Sequence, residues 1–275
     1  MCFTQNQSGI FALIGLGLAC YVKFNTSNTR LAVGVFWFFL MEFLQYWQYF
    51  WIDQCDHPVN KVLTFAGYVH ICFQPYFTHI INSALTKNPK MLNQYTIILR
   101  MCLLGGFIFL LRAVLYDFLP QYQTPVSSAY TKWAGLTPAE GSFETREWLR
   151  GEALCTYKGN YHLSWSVPML DTTYWIPGAS LHSFLMFGPF FVMRKSMIIQ
   201  GFFLWLTGPF LSTYFTDNLQ EQASVWCFFS ISQIAIMLFL IRKTLVLKWS
   251  KNGQQIKDTP YPKESSKSKK SVKAQ

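Results

Sequence analysis

The sequence predicts an all-α fold, a bundle of seven transmembrane helices, from two observations. Hydrophobic residues make up 51% of the 275 residues and charged residues only 13%, about half the charged share of a soluble domain. Apolar stretches long enough to cross a bilayer recur along the chain, and lipid admits them only as helices because unpaired backbone groups are not tolerated there. The predicted spans are residues 9–23, 31–52, 62–84, 95–117, 174–193, 197–215 and 223–246.

Basic residues lie on one side of the predicted bundle. The links after spans 1, 3 and 5 are basic, the links on the other side are poor in lysine and arginine, and the chain ends in eight lysines from Lys248 onward. Basic loops remain in the cytoplasm. We therefore expect an integral, multi-pass membrane protein with its N-terminus outside or in a lumen and its C-terminus in the cytoplasm.

The chain divides into a membrane domain, residues 1–246, and a basic disordered cytoplasmic tail, residues 247–275. The net charge is +10, and most of it lies in the tail. The tail lacks interleaved aromatic residues and a fold, which disfavours nucleic acid as a partner. We expect the bilayer to surround the bundle and anionic lipid headgroups to attract the tail. Other membrane proteins are a further class of possible partner.

One outer connection, residues 118–173, is much longer than the others. Its tryptophans and tyrosines argue against disorder, and the alternation after Ala153 predicts a β-hairpin, 153–157 pairing with 161–167 around a turn at Lys158-Gly159-Asn160. We expect an ordered cap over the outer mouth of the bundle. The alternative is a passive loop whose tryptophans anchor it among headgroups.

Four of the seven cysteines, Cys2, Cys55, Cys155 and Cys227, fall on the predicted outer side or just below it. Outer faces are oxidising in many compartments, so we expect a disulfide between Cys55, in the link of spans 2 and 3, and Cys155, in the cap. A pair that includes Cys2 is the alternative, because spacing alone does not assign connectivity.

A carboxyl group, Glu42, interrupts the apolar and aromatic run of span 2. A charge at the centre of a membrane helix costs roughly 2.5 kcal/mol or more unless it is partnered or faces a cavity. Polar residues on other spans lie at a similar depth below the outer surface. We therefore expect a buried polar pocket open to the outer side, with candidate residues Glu42, Gln45, Asp53, His70, Gln74, His162, Trp165, His182, Asn218 and Cys227.

Two kinds of binding suit this set. Imidazoles with a carboxylate are ligands of zinc or iron, which would place Glu42, His70 and His182 around a metal, completed by His162 or Cys2. Alternatively, Glu42 carries a proton and a histidine relays it. The sequence holds no HxxxH or HExxH pair. A hydrogen-bonded network that only ties the helices together is the structural alternative, and we expect His79 to face solvent or headgroups.

Three functions follow from these alternatives. The first is a membrane protein that binds a metal, a proton or a small lipid-soluble ligand in the pocket, as a transporter or receptor would. The second is a metal-dependent enzyme acting on a lipid. The third is an accessory subunit of a larger membrane complex, for which we expect no pocket at all.

Several short motifs resemble those of a family of uncharacterised multi-pass membrane proteins that begin Met-Cys-(Phe/Trp)-Ser. The resemblance implies the same topology and the same polar residues but no reaction, and Thr4 stands where the family has serine. More loosely, the chain resembles seven-span lipid amidases related to alkaline ceramidase, although their paired histidines in the last span are absent. The matching motifs include Met1-Cys2-Phe3, Met41-Glu42-Phe43-Leu44-Gln45, Asp53-Gln54-Cys55, His70-Ile71-Cys72-Phe73-Gln74-Pro75, Leu154-Cys155-Thr156, Tyr161-His162-Leu163-Ser164-Trp165, Leu181-His182, Gly208-Pro209 and Val225-Trp226-Cys227.

Overall fold

Helices occupy the predicted segments in the computed structural model, which describes residues 4–26, 28–86, 88–123, 147–172, 178–193 and 195–245. The elements are α1 (Gln5–Thr26), α2 (Thr29–Gln48), α3 (Pro58–Leu85), α4 (Pro89–Val114), β1 (Cys155–Lys158), β2 (Leu163–Ser166), α5 (Ala179–Met193), α6 (Lys195–Trp205), α7 (Leu211–Phe215) and α8 (Gln222–Leu245). A π-helical turn, Leu206–Phe210, joins α6 to α7, so the two form one helical segment.

Local capping explains where helices α2 to α4 begin. The side chain of Asn28 accepts a hydrogen bond from the backbone of Leu31 at the start of α2, and Asn88 accepts one from Met91 at the start of α4. Proline occupies the first position of α3 and of α4, where its missing N–H costs nothing. These caps place the starts of α3 and α4 several residues before the predicted spans, which hydropathy alone had delimited.

Three helices of the described chain are long and apolar enough to cross a membrane. They cover Gln5–Asn25, Pro89–Val114 and Gln222–Phe239. The prediction of seven spans is therefore supported for α1, α4 and α8 by length and composition. Helices α2 and α3 are also long, but the glutamine, glutamate, histidine and asparagine side chains in them lower their mean hydropathy.

The helices pack as antiparallel neighbours along the chain, and α3 lies between α2, α4 and α5. The described residues form four apolar clusters, of which two are much larger than the others. One surrounds Leu31, Val35 and Ile81, and the other surrounds Met41, Leu163 and further buried residues beneath the hairpin. We call the end of the bundle covered by the hairpin the cap end, and the opposite end, where α3 and α8 finish, the tail end.

The cap contains the predicted hairpin. Strands β1 and β2 are antiparallel, with Cys155 opposite Ser166 and Lys158 opposite Leu163, so the turn is wider than predicted and covers residues 159–162. A Cβ atom on Gly159 would lie 2.4 Å from the carboxylate of Glu221, so only glycine fits there. Residues 124–146 of the cap and the tail, 247–275, lie outside the described residues.

The predicted disulfide joins Cys55 to Cys155 and holds β1 against the link between α2 and α3. Two ion pairs hold the cap elsewhere. Arg112 of α4 forms a two-pronged pair with Glu147, with both N–O distances 2.6 Å, and Arg150 pairs with Asp171.

Candidate functional site

The hairpin is attached to the bundle through His162. Its Nε2 and Nδ1 atoms lie 2.9 Å from Gln45 Oε1 and from the Tyr49 hydroxyl, respectively. Because the amide oxygen only accepts, the ring donates from Nε2 and accepts the Tyr49 proton at Nδ1. Burial lowers the pKa of His162 to about 3, so the ring is neutral and both of its nitrogens are used by α2 and the segment after it.

Two more predicted residues also attach the cap. The indole of Trp165 donates to Gln48 at 3.1 Å, and Gln48 in turn donates to the backbone of Leu63 at 2.9 Å. Asn218 donates to the hydroxyl of Ser164 at 3.2 Å. These side chains therefore bond one part of the fold to another.

Asp53 does not join the buried set. The helix ends at Gln48, a short 3-10 turn follows, and Asp53 lies on the surface with a positive φ of 62°. Its carboxylate accepts the backbone N–H of Lys158 at 2.9 Å. Asp53 was predicted to line the buried pocket, but the helix ends before it, and Asp53 instead bonds the end of β1.

Glu42 occupies the most unusual position in the bundle. Its side chain is fully buried, and neither carboxyl oxygen has a hydrogen-bond partner among the described residues. Its polar neighbour is the hydroxyl of Ser8 on α1, although the two groups do not form a hydrogen bond of normal geometry. Cys227 of α8 is close enough to Glu42 for an electrostatic interaction. The Nε2 atom of Gln45, one turn toward the cap, is also unpaired. We call Ser8, Glu42, Gln45 and Cys227 the Glu42 site.

The buried histidines bond helices together. His70 lies 2.6 Å from the carbonyl of Trp37, His182 lies 3.0 Å from that of Ile71, and each uses Nε2. His79 contacts the carbonyl of Leu185 in the same way at 2.9 Å. A carbonyl oxygen only accepts, so each ring donates from Nε2. His79 is 1% exposed, which corrects the expectation that it faces solvent or headgroups.

The predicted metal ligands are not assembled. No group of three or more His, Cys, Asp or Glu side chains that could hold a metal ion occurs in the described part of the chain. His70 stacks on Trp37, with ring centroids 4.6 Å apart, whereas His182 lies between Trp148 and Trp226. His70 thus contacts α2 at Trp37, five residues from Glu42 toward the tail end, and His182 contacts α3 from α5. Cys2 lies outside the described residues.

Gln74, another predicted pocket residue, is fully buried on α3, and neither atom of its side-chain amide has a partner among the described residues. Thr78, one turn further along α3, donates to the backbone carbonyl of Gln74 at 3.0 Å. Gln74 therefore resembles Glu42 in that it is a buried polar side chain whose hydrogen-bonding capacity the described structure does not use.

Sequence reasoning missed two residues that organise this region. Ser8 is a short polar side chain on an apolar helix, and nothing in the pattern of α1 distinguishes it. Glu221 accepts from the backbone of Tyr161 at 2.5 Å, the backbone of His162 at 2.7 Å and the hydroxyl of Thr216 at 2.7 Å. Its place immediately before α8 was the available signal, because helix N-termini favour carboxylates.

A family of unknown function, DUF5765, matches residues 6–246. The chain belongs to this family. The match extends over the described helices and the hairpin and begins after the N-terminal Met-Cys motif. No curated protein and no solved structure matches this chain.

Proposed function

We propose that the protein is a seven-helix integral membrane protein in which Glu42 binds a proton beneath an outer cap. Its N-terminus would lie on the outer or lumenal side and its C-terminus in the cytoplasm. Helices α1, α4 and α8 supply three spans by length and composition. The other four are α2, α3, α5 and the continuous segment formed by α6, its π turn and α7.

Helices α2 and α3 support this membrane assignment through their two faces. Their polar side chains, such as Gln45, Gln48 and Gln74, are buried. Beyond the first turn of each helix, the exposed positions are apolar, such as Phe43 and Val62 at 50% and 66% exposure. A helix whose outward face is apolar and whose polar face is buried suits lipid. Helix α2 has 20 residues, or about 30 Å at 1.5 Å per residue, which equals the hydrocarbon thickness of a bilayer.

The unpaired carboxyl of Glu42 is the observation that carries the functional proposal. An ionised carboxylate without a partner is far more costly to bury than the neutral acid. Among the described residues, no basic side chain has an electrostatic interaction with Glu42. Its polar neighbour is the hydroxyl of Ser8. We therefore infer that the site holds Glu42 as the neutral acid. Ionisable groups inside membrane proteins mark proton and ion pathways, and a neutral acid can release its proton when its surroundings change.

Infrared spectroscopy of the protein in lipid nanodiscs tests the proposal, with spectra recorded in normal water and in heavy water and subtracted. The spectrum of the wild type at neutral pH should contain the carbonyl band of a protonated carboxyl group, which shifts on transfer to heavy water. The band should be lost in Glu42→Gln. The band should persist in Glu221→Gln. Glu221 accepts three hydrogen bonds as a carboxylate and therefore does not give the band of a protonated carboxyl group. A wild-type spectrum without the band, or a band that survives in Glu42→Gln, would refute proton binding at Glu42.

A further inference from the structure

A cavity lies toward the tail end, away from the cap. It has a volume of about 260 Å³ and opens between α3, α5, α6 and α8. Phe38 of α2 closes its deep side. Phe38, Thr78 and Ser230 line the cavity, each about one helical turn from Glu42, Gln74 and Cys227, respectively. We call this cavity the tail-end crevice.

A pair of amides lies near the mouth of the crevice. Gln200 of α6 donates from Nε2 to Asn82 Oδ1 of α3 at 3.1 Å. Within the described residues, the Asn82 amide hydrogens and Gln200 Oε1 make no other bond. Asn82 lies three residues before the end of α3 at Leu85, so the pair is close to the tail end. The crevice thus offers a donor and an acceptor at the level where lipid headgroups begin.

The lining of the crevice determines the charge of its ligand. Its polar members are amides and hydroxyls, and none of the lining residues that the structure describes is charged. An ionised head, such as a phosphate or a carboxylate, would be desolvated there without a counter-charge, which is strongly unfavourable. A hydroxyl group can donate to Gln200 Oε1 and accept from Asn82, and it requires no counter-charge.

The polarity of the crevice changes with depth in the order that a lipid requires. The amide pair lies at the tail end, and Phe38, Phe187 and Trp226 line the wall nearer the cap. The hydroxyls of Thr78 and Ser230 in that wall are already bonded to carbonyls of their own helices. The volume is slightly below the range of about 300–1,000 Å³ for small-molecule sites, so a lipid would be only partly enclosed. Phe203 and Ile236, 53% and 58% exposed, line the side through which its remainder would enter the bilayer.

We propose that the tail-end crevice binds one uncharged, hydroxyl-bearing lipid of the diacylglycerol type. The hydroxyl group engages Asn82 and Gln200, and an acyl chain lies against Phe38 and Trp226. The lipid enters sideways from the leaflet at the tail end. This inference rests on the membrane topology of the proposed function but not on proton binding at Glu42.

Photocrosslinking in nanodiscs tests the site with defined probes. One sample contains a photoactivatable diacylglycerol, and a parallel sample contains phosphatidic acid with the same photoactivatable chains. Crosslinked peptides are identified by mass spectrometry. We expect diacylglycerol to label Met186, Leu204 and Met237, which line the crevice, and phosphatidic acid to label them much less.

Two variants locate the bound lipid. Leu204→Trp fills the crevice and should abolish its labelling, whereas the matched change Leu104→Trp, on the exposed face of α4, should leave it intact. Gln200→Leu removes the acceptor and should lower labelling about fivefold, the effect of losing one hydrogen bond. Retention of the Cys55–Cys155 disulfide and an unchanged elution volume confirm the fold of each variant.

Two results would overturn the proposal. Equal labelling by phosphatidic acid would show that the head is not selected for neutrality, and undiminished labelling in both Leu204→Trp and Gln200→Leu would place the lipid outside the crevice. The outcome is separable from that at Glu42. Loss of the infrared band with crevice labelling intact would refute only proton binding, and the reverse pattern would refute only the lipid site.

Discussion

Two carboxyl groups near the cap end, Glu221 and Glu42, are buried to the same extent and used differently. Glu221 accepts three hydrogen bonds from the cap and from the segment before α8. Glu42, deeper in the bundle, accepts none from the residues that the structure describes. A contribution to folding stability explains why Glu221 is buried, because its bonds attach the hairpin. No such contribution explains why Glu42 is buried. The comparison therefore separates the polar side chains that stabilise the fold from those available for binding.

The disulfide is the strongest single element of the cap and should have the largest effect. It closes a loop with a sequence separation of 100, for which loop entropy gives about 4.7 kcal/mol. The double variant Cys55→Ala/Cys155→Ala should lose roughly this free energy of unfolding, measured by denaturant titration in detergent micelles. The exposed free cysteine Cys20 supplies the control, since Cys20→Ala should leave stability unchanged. A loss below about 2 kcal/mol, the low end for disulfides, would mean that the ion pairs and hydrogen bonds hold the cap without the disulfide.

The pair between Arg112 and Glu147 should rank next. Arg112 is 2% exposed and Glu147 9%, so Glu147→Gln leaves a buried guanidinium without its counter-charge. Breaking a buried pair in this way costs about 3–5 kcal/mol. The same unfolding titration measures it, and Glu152→Gln, an exposed position with the same charge change, should cost less than about 0.5 kcal/mol. Equal effects of the two variants would contradict the burial of this pair.

Glu221 provides the next test of the cap attachment. Glu221→Gln replaces charge-assisted hydrogen bonds to Tyr161 and His162 by weaker ones and places an amide beside donors. We expect a loss of about 1.5–3 kcal/mol in the free energy of unfolding. Amide hydrogen exchange of residues 161–163 should accelerate in parallel. Unchanged exchange there would argue that the hairpin is held by the disulfide and apolar packing instead.

Protonation of His162 should make the cap sensitive to acid. The pKa of His162 in the folded protein is about 3, below the value of about 6.5 in an unfolded chain. The unfolded state therefore binds a proton first as the pH falls, and stability is complete above pH 6.5 and is lost between pH 6.5 and 3. The loss is at most about 1.4 kcal/mol per pH unit.

Stability measured at pH 7 and pH 5 in the wild type and in His162→Asn isolates this contribution. Asparagine retains hydrogen-bonding capacity toward Gln45 and Tyr49 but does not titrate. The variant should lose less stability than the wild type over this interval. If both lose the same amount, His162 is not the group responsible.

Sequence patterns predicted the cap better than the site. Alternation and the Lys158-Gly159-Asn160 turn predicted the hairpin, and the shared side of Cys55 and Cys155 predicted their disulfide. Helical periodicity also placed Glu42, His70 and His182 at one depth. It did not indicate which neighbouring helix each face meets, and the partners of both histidines are backbone carbonyls, which no side-chain pattern identifies.

The tail-end crevice was missed for a related physical reason. Its amide pair joins Asn82 to Gln200 across 118 residues of sequence, and each is a single polar residue in an apolar segment. The apolar composition of these segments does not indicate a cavity between them. The packing of α3 against α5 and α6, rather than their composition, leaves the space between them.

Glu42→Gln should have the smallest effect on stability. Glutamine has nearly the shape of the neutral acid, and Glu42 accepts no hydrogen bond whose loss would be felt. We expect a change in the free energy of unfolding within about 0.5 kcal/mol, far below that of Glu221→Gln although both side chains are fully buried. The measurement is the same titration on the two variants in parallel. A loss for Glu42→Gln that matches Glu221→Gln would show that Glu42 supports the fold, and the distinction between the two carboxyl groups would then fail.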